Sequence, residues 1–128
     1  MKTRLLLLLV LIFVLAGCAP AEPAAPRLRI LNTGDLVVEN LSVLFPEDEI
    51  FFGDVLPGAT TEYLPAPNGV YRYAAYRYEI DGEIVLQPVI DWVGEEPLPG
   101  QDFTYTIDFD PARVQLLDLQ LLDVRVDE

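Results

Sequence analysis

The sequence lacks the side chains on which most enzyme and metal sites depend. It contains no histidine, one cysteine (Cys18) and one serine (Ser42) in 128 residues. Without a histidine base the usual nucleophile–base triads are excluded, and so are zinc sites built from histidine or cysteine. No glycine-rich phosphate loop precedes a helix pattern. These absences predict a protein that is not an enzyme and that carries no cofactor.

Abundant carboxylates leave two other kinds of site open. A glycosidase requires only a pair of acids in a cleft, although a domain of this size has little room for one. Calcium requires several converging oxygens, which Glu47-Asp48-Glu49 or Asp108-Phe109-Asp110 would supply in part. Neither stretch has the spacing of a known calcium loop. Solvated acidic turns are therefore the favoured interpretation, and no metal site is predicted.

Positive charge is scarce after Cys18. All 21 acidic residues follow this cysteine, against six arginines and no lysine, so the side chains after it sum to −15. Binding to nucleic acid or to anionic lipid headgroups requires positive charge that this segment does not have. We therefore expect no nucleic-acid partner. An acidic surface can also serve solubility alone, so the negative charge by itself does not indicate a binding partner.

The N-terminal segment has the pattern of an export signal. Lys2 and Arg4 precede an unbroken apolar run from Leu5 to Ala16, as in a secretory signal peptide. The run is shorter than the roughly 20 residues that a membrane span needs. It closes on Leu15-Ala16-Gly17-Cys18, which resembles the lipobox of bacterial lipoproteins, and a Pro/Ala-rich spacer follows.

This resemblance implies processing and lipidation. In bacterial lipoproteins the cysteine at the position of Cys18 is alkylated with diacylglycerol, and a peptidase cuts before it. It implies a cleaved signal peptide over 1–17, a lipidated Cys18 with its spacer over 18–26, and an extracytoplasmic protein held in the cell membrane or outer membrane by palmitate-type chains. Ala19 favours the outer membrane if the source sorts lipoproteins by that residue. An ordinary signal peptide with an incidental cysteine is the alternative.

Residues 27–128 predict a single all-β domain. Short apolar segments alternate with turn residues about every ten residues, which is typical of an antiparallel β-sandwich or barrel. Strands are predicted at 28–31, 36–45, 50–56, 60–64, 70–80, 83–93 and 103–109. The second is best formed at 41–45, because Glu39-Asn40 interrupts its pattern. The final run, 114–126, fits either a strand or a helix begun by Asp110-Pro111. We favour a strand there because it completes a sheet of β elements.

One stretch suggests a more specific fold. The run from Phe52 to Tyr63, followed by Gly69-Val70-Tyr71, resembles small immunoglobulin-like or transthyretin-like sandwich domains of bacterial surface proteins. In those domains a Pro-Gly turn, here Pro57-Gly58, precedes a strand, and a Gly-x-Tyr opens the next. The resemblance covers a small part of the chain, so it implies a fold and no activity.

Asp81-Gly82 predicts a tight hairpin, because this dipeptide tolerates the positive φ angles of a type I′ turn. Cross-strand partners would then have numbers that sum to 163, and alternate residues would separate into two faces. One face is predicted to be the core because Tyr71 and Trp92 form a large aromatic pair on it. Its residues are Tyr71, Tyr73, Ala75, Ile84, Leu86, Ile90 and Trp92. Pro88 indicates an edge strand or a bulge.

The opposite face of the hairpin is the candidate binding face. It carries Arg72, Tyr76, Tyr78 and Gln87, and exposed tyrosines beside an arginine suit stacking on a sugar ring or anchoring a protein interface. The alternative is that a second sheet covers these residues.

Two functional hypotheses follow. In the first, a membrane-anchored extracytoplasmic lipoprotein uses a non-catalytic sandwich to recognise a glycan or a protein. In the second, the domain is a structural or assembly accessory of a cell-envelope complex and docks on a partner protein through a sheet edge. In both, the lipid on Cys18 attaches the chain to the membrane.

Overall fold

The structure, a computed structural model, describes residues 24–89, 94–113 and 118–128. Within these ranges the chain forms eight strands and no helix, which confirms the all-β prediction. The strands are β1 (Arg27–Asn32), β2 (Val38–Leu44), β3 (Glu49–Val55), β4 (Leu64–Pro65), β5 (Ala75–Ile80), β6 (Glu83–Gln87), β7 (Asp102–Phe109) and β8 (Leu119–Asp127).

The strands form two four-stranded sheets. Sheet I has the order β4-β1-β7-β8, and sheet II has the order β3-β2-β5-β6. Neighbouring strands are antiparallel except β1 and β7, which run parallel with Leu28 opposite Phe103. The prediction of a wholly antiparallel sandwich is wrong for this pair. Parallel neighbours need a crossover connection, and the chain between β1 and β7, which builds all of sheet II, supplies it.

The hydrophobic core lies between the two sheets. From sheet I, alternate residues of β1 and β7 point inward, among them Leu28, Ile30 and Tyr105. From sheet II, Tyr78 meets Phe109 of β7 edge to face, with ring centroids 5.3 Å apart. Fully burying one such large apolar side chain is worth about 1.5–3 kcal/mol. The alternation that predicted β7 therefore identifies its buried face correctly.

Two of the predicted strands lack regular pairing over their full length. β2 is interrupted between Val38 and Ser42, where Asn40 adopts a φ of 48° and its N–H donates to Asp54 Oδ1 at 2.9 Å. The predicted strand over 60–64 is reduced to β4 and a single bridge from Thr60 to Leu31. There the N–H of Ile30 donates to the side-chain oxygen of Thr61, so a regular backbone ladder does not form.

The C-terminal run is a strand where the structure describes it. β8 pairs along β7 from Leu119 to Asp127, so the preference for strand over helix is confirmed there, and 114–117 lie outside the described residues. The register shifts by one residue between Thr106 and Ile107, which leaves Leu122 as an additional residue on β8. Such a bulge increases the local twist of an edge strand.

The hairpin has the predicted register and the opposite burial. Tyr76 lies opposite Gln87 and Tyr78 opposite Val85, and Asp81 and Gly82 have φ angles of 50° and 81°, as a type I′ turn requires. β6 is an edge strand that ends immediately before Pro88, as Pro88 indicates. The partners predicted for Tyr73 and Tyr71, Ile90 and Trp92, lie outside the described residues.

The predicted core face is wrong for Tyr73, Ile84 and Leu86, which are exposed, although Ala75 is buried and Tyr71 packs against the core as predicted. Tyr76 and Tyr78 are 3% and 0% exposed, whereas Ile84 and Leu86 are 70% and 58% exposed. Sheet I covers the face that carries the two tyrosines, so their rings pack in one core with the inward residues of β1 and β7.

Candidate binding groove along the edge of strand β8

The structure separates the residues predicted as a binding face. Tyr76, Tyr78 and Gln87 are buried between the sheets, while Arg72 lies in the connection before β5 and is exposed. They do not form a common surface, so the predicted binding face is wrong. Cys18, the predicted lipidation site, lies outside the described residues.

Gln87 joins the two sheets where their edges meet. Its Nε2 donates to the carbonyl oxygen of Leu119 at 2.7 Å, and the N–H of Leu119 donates to its Oε1 at 3.1 Å. The hydroxyl of Tyr78 donates to the same Oε1 at 3.2 Å. The side-chain amide thus pairs with β8 as a backbone amide of a neighbouring strand would. Its role is structural, which explains why a polar side chain is buried there.

The two buried tyrosines differ in how their hydroxyls are accommodated. Burial raises the pKa of Tyr78, and the nearby charge of Asp118 raises it further. Burial alone raises the pKa of Tyr76, whose hydroxyl has no hydrogen-bond partner among the residues that the structure describes. Both phenols therefore stay neutral at ordinary pH, and neither presents a ring to solvent for stacking.

A groove of about 600 Å³ lies along β8. Most of its wall is aliphatic, with one cationic, one anionic and one aromatic side chain. The lining residues are Arg72, Tyr73, Leu98, Pro99, Leu121, Leu122, Asp123, Val124 and Val126. Consecutive residues of one strand line it because, among the strands in the described ranges, β8 is the edge of sheet I and has only β7 as a neighbour. The groove therefore follows the unpaired side of a strand.

Gln87 limits the extent of this free edge. It occupies the N–H and C=O of Leu119, so the part of β8 without such a partner begins beyond that residue. From Leu121 to Val126 the structure describes pairing with β7 alone, so alternate backbone groups on the other side have no partner among the described residues, as in edge strands. A further extended segment would find hydrogen-bonding groups there.

The opposite wall of the groove is held by the chain before β7. Leu98 donates its N–H to the carbonyl of Val70 at 2.7 Å, which fixes this segment beside Arg72 and Tyr73. Gly69 permits this close approach because it has no side chain. A Cβ at this position would lie only 2.5 Å from the Cβ of Pro97. The wall is thus built by backbone contacts that do not depend on a ligand.

Arg72 differs from the other arginines that follow Cys18. Those five form ion pairs, with partners as follows: Arg27 with Asp102, Arg29 and Arg125 with Asp127, Arg77 with Glu49, and Arg113 with Asp108. In the described parts of the chain, the side chains of Arg72 and Asp123 make no ion pair or hydrogen bond, and both line the groove. The groove therefore presents one available cation and one available anion.

The outer face of sheet I shows how fully the other arginines are engaged. The guanidinium carbons of Arg27 and Arg29 lie 4.9 Å and 4.6 Å from the ring centre of Tyr63. The Tyr63 hydroxyl donates to Asp127 Oδ2 at 2.6 Å. A hydrogen bond from Arg27 holds the pKa of Asp102 below its usual value. These contacts connect β1 to β8, and among the described residues of this face every arginine has an acidic partner.

The acidic stretches considered for calcium have protein partners. Asp48 accepts hydrogen bonds from the N–H and the Nδ2 of Asn68 at 3.0 Å and 2.9 Å, while Glu49 and Asp108 pair with arginines. Over 24–89, 94–113 and 118–128, no three acidic, histidine or cysteine side chains are grouped as a metal site would require. The same ranges contain no helix long and apolar enough to cross a membrane.

Comparisons with protein-family models, with curated proteins and with solved structures find no match for this chain. The groove is therefore interpreted from its own geometry. The sequence does not reveal the groove, because Arg72, Leu98 and Leu122 are far apart in the chain. One signal was present: Leu121-Leu122 breaks the alternation of the final run, and the bulge of β8 lies there.

Proposed function

We propose that this chain is a lipid-anchored extracytoplasmic protein whose sandwich domain works without catalysis, by binding an extended segment of a partner protein at β8. The observation that carries this proposal is the groove along the edge of β8, where the described part of the chain provides neither a second neighbouring strand nor an ion-pair partner for Arg72. Addition of a strand to a sheet edge is a recurrent way of recognising protein segments. Backbone groups supply affinity, and the groove receives alternate side chains.

The hypothesis of a glycan-binding tyrosine face loses its support. Sugar recognition by stacking needs exposed aromatic faces, and Tyr76 and Tyr78 are buried. The hypothesis of docking through a sheet edge gains support, because Leu121, Leu122 and Val124 line the side of β8 that has no neighbouring strand in the described ranges. A partner strand there would cover apolar side chains and satisfy backbone groups together.

The anchoring part of the proposal rests on the lipobox resemblance and on the end of the spacer. The Nε2 of Gln101 donates to the carbonyls of Ala24 and Ala25 at 2.6 Å and 2.7 Å, so the spacer is attached to the domain from that point. Ala24 is the sixth residue after Cys18, so the two can lie at most about 20 Å apart when the chain is fully extended. A lipid on Cys18 would hold the domain close to the bilayer.

Anchoring is tested by the intact mass of the membrane-bound protein. We expect an acylated chain that begins at Cys18, and we expect Cys18→Ser to eliminate that form. Recovery of secreted protein with an unmodified Cys18 thiol would contradict the proposal.

We also propose that the finer fold is immunoglobulin-like or transthyretin-like. The Pro57-Gly58 turn supports this, since Gly58 donates its N–H to the carbonyl of Asn32 at 2.7 Å and leads the chain back along β1. An experimental structure of the domain with its strand connections would test this classification.

The binding site is tested by photo-crosslinking in intact cells. A photoreactive amino acid at Leu122 should give a discrete protein adduct, whereas one at Ile84, which is similarly exposed but lies on sheet II, should not. Equal adducts from the two positions, or none from Leu122, would contradict binding at the β8 edge.

A further inference from the structure

The groove sets three requirements for the segment that fills it. The segment must be extended, so that its backbone groups meet those of β8. It must carry apolar side chains for Leu122, Val124 and Val126 to contact. It must also offer an acid to Arg72 and a base to Asp123, because neither has a partner among the described residues.

A second β8, together with the groove wall that accompanies it, meets all three requirements. It is extended, and it places Leu122, Val124 and Val126 on the same groove. Asp123 of the second copy supplies the acid for Arg72, and Arg72 of the second copy supplies the base for Asp123. A two-fold interface must be complementary to itself in this way, because each contact occurs twice with its partners exchanged.

We infer that the partner of the β8 edge is β8 of a second copy of this chain, paired about a two-fold axis. This inference rests on the binding site proposed above and names its occupant. Two strands related by a two-fold axis in a shared sheet run antiparallel, as β8 already does with β7. The two copies of sheet I then form one continuous eight-stranded sheet, and Gln87 marks the end of the shared edge.

Net charge opposes this association at long range. Each domain (27–128) carries 20 acidic residues and six arginines, a side-chain charge of −14, so two copies repel each other in dilute salt. Salt screens such repulsion over a Debye length of about 10 Å at 0.1 M. Attachment to one membrane also raises the effective concentration of one copy near the other. The dimer is therefore expected on membranes and at moderate salt, and it weakens as salt is removed.

The experiment combines adduct identity with a charge exchange in the mature full-length protein. The Leu122 photo-adduct should have the mass of two copies, with peptides that join β8 to β8. In sedimentation at 0.15 M salt, Arg72→Asp and Asp123→Arg should each weaken self-association about tenfold, equivalent to about 1.4 kcal/mol. The double variant should restore it, because the exchanged charges pair again.

The two single variants also provide the control for general repulsion. Asp123→Arg reduces the net negative charge, so repulsion alone would make this variant associate more strongly than the parent. The inference requires the opposite. Restoration in the double variant, whose net charge equals that of the parent, identifies the specific pair.

The outcomes separate this inference from the proposed function. An adduct between Leu122 and a different protein, with a monomeric parent, would overturn the self-pairing and leave edge binding supported. The absence of any Leu122 adduct would overturn both. A double variant that associates no better than the single variants would overturn the Arg72–Asp123 pairing and with it the two-fold arrangement.

Discussion

On one face of the β5–β6 hairpin, Tyr76, Tyr78 and Gln87 lie under sheet I, and on the other face Ile84 and Leu86 lie in solvent. The buried face holds two phenols and an amide beside Ile80 and Val85, and the exposed face holds Ile84 and Leu86 opposite Glu79 and Arg77. Polarity alone does not explain this arrangement. The opposing sheet decides which face is covered, and the tyrosine rings supply the apolar area that the core needs while Gln87 joins it to β8.

The largest difference between the two faces should appear on truncation of Tyr78. Tyr78→Ala removes a fully buried ring that packs on Phe109, so we expect a loss of about 3–5 kcal/mol in the free energy of unfolding. Urea denaturation followed by tryptophan fluorescence measures it. As the matched control, Ile84→Ala on the exposed face should cost less than about 1 kcal/mol. Similar losses at the two positions would mean that the burial assignment is wrong.

Alkaline pH should destabilise the folded protein through its buried tyrosines. Burial raises the pKa values of Tyr76, Tyr78 and Tyr105, so these phenols stay neutral in the folded state above pH 10, where unfolded tyrosines ionise. Their contribution to the free energy of unfolding is complete below about pH 10. It is lost as the pH rises towards the pKa values that these phenols have in the folded state.

Each such tyrosine lowers the free energy of unfolding by up to about 1.4 kcal/mol per pH unit above pH 10. Urea midpoints measured from pH 8 to pH 11 should fall steeply, and Tyr76→Phe should reduce the slope by the share of one group. A slope unchanged by Tyr76→Phe would indicate that Tyr76 ionises in the folded state.

The sequence predicted the hairpin well because its information is local. Asp81-Gly82 determines the turn, and the turn sets the register from Tyr76–Gln87 to Ile80–Glu83. The choice of the buried face is not local. It depends on which side meets β1 and β7, and alternation places apolar residues on both sides of this hairpin. The aromatic pair of Tyr71 and Trp92 favoured one side, but Tyr71 lies outside β5.

The groove was less predictable than the fold for the same reason. Arg72 follows a glycine turn, Leu98 lies in a proline-rich connection and Leu122 lies on the last strand, so only tertiary structure brings them together. The parallel pairing of β1 with β7 is similar. Regular alternation indicates that each is a strand, but it carries no information about which strands become neighbours.

Removing the amide of Gln87 should have an intermediate effect. Gln87→Ala leaves the N–H and C=O of Leu119 and the hydroxyl of Tyr78 without this partner, which should cost about 1–3 kcal/mol. Hydrogen exchange at the Leu119 amide should accelerate by more than the global loss of stability explains. Gln120→Ala, on the adjacent outward-facing residue, is the control. If the two variants exchange equally, Gln87 does not join the sheets.

The smallest effects should distinguish the two tyrosine hydroxyls on the buried face. Tyr78→Phe removes the donor to Gln87 Oε1, so we expect a loss of about 1 kcal/mol. Tyr76→Phe removes a buried hydroxyl with no partner in the described residues, so stability should be unchanged or rise by up to about 1 kcal/mol. Both changes remove one phenolic hydroxyl from β5, so each is the control for the other. An equal loss in both would show that the Tyr76 hydroxyl is hydrogen-bonded in the folded protein, and the difference between the variants would then no longer measure the Gln87 contact.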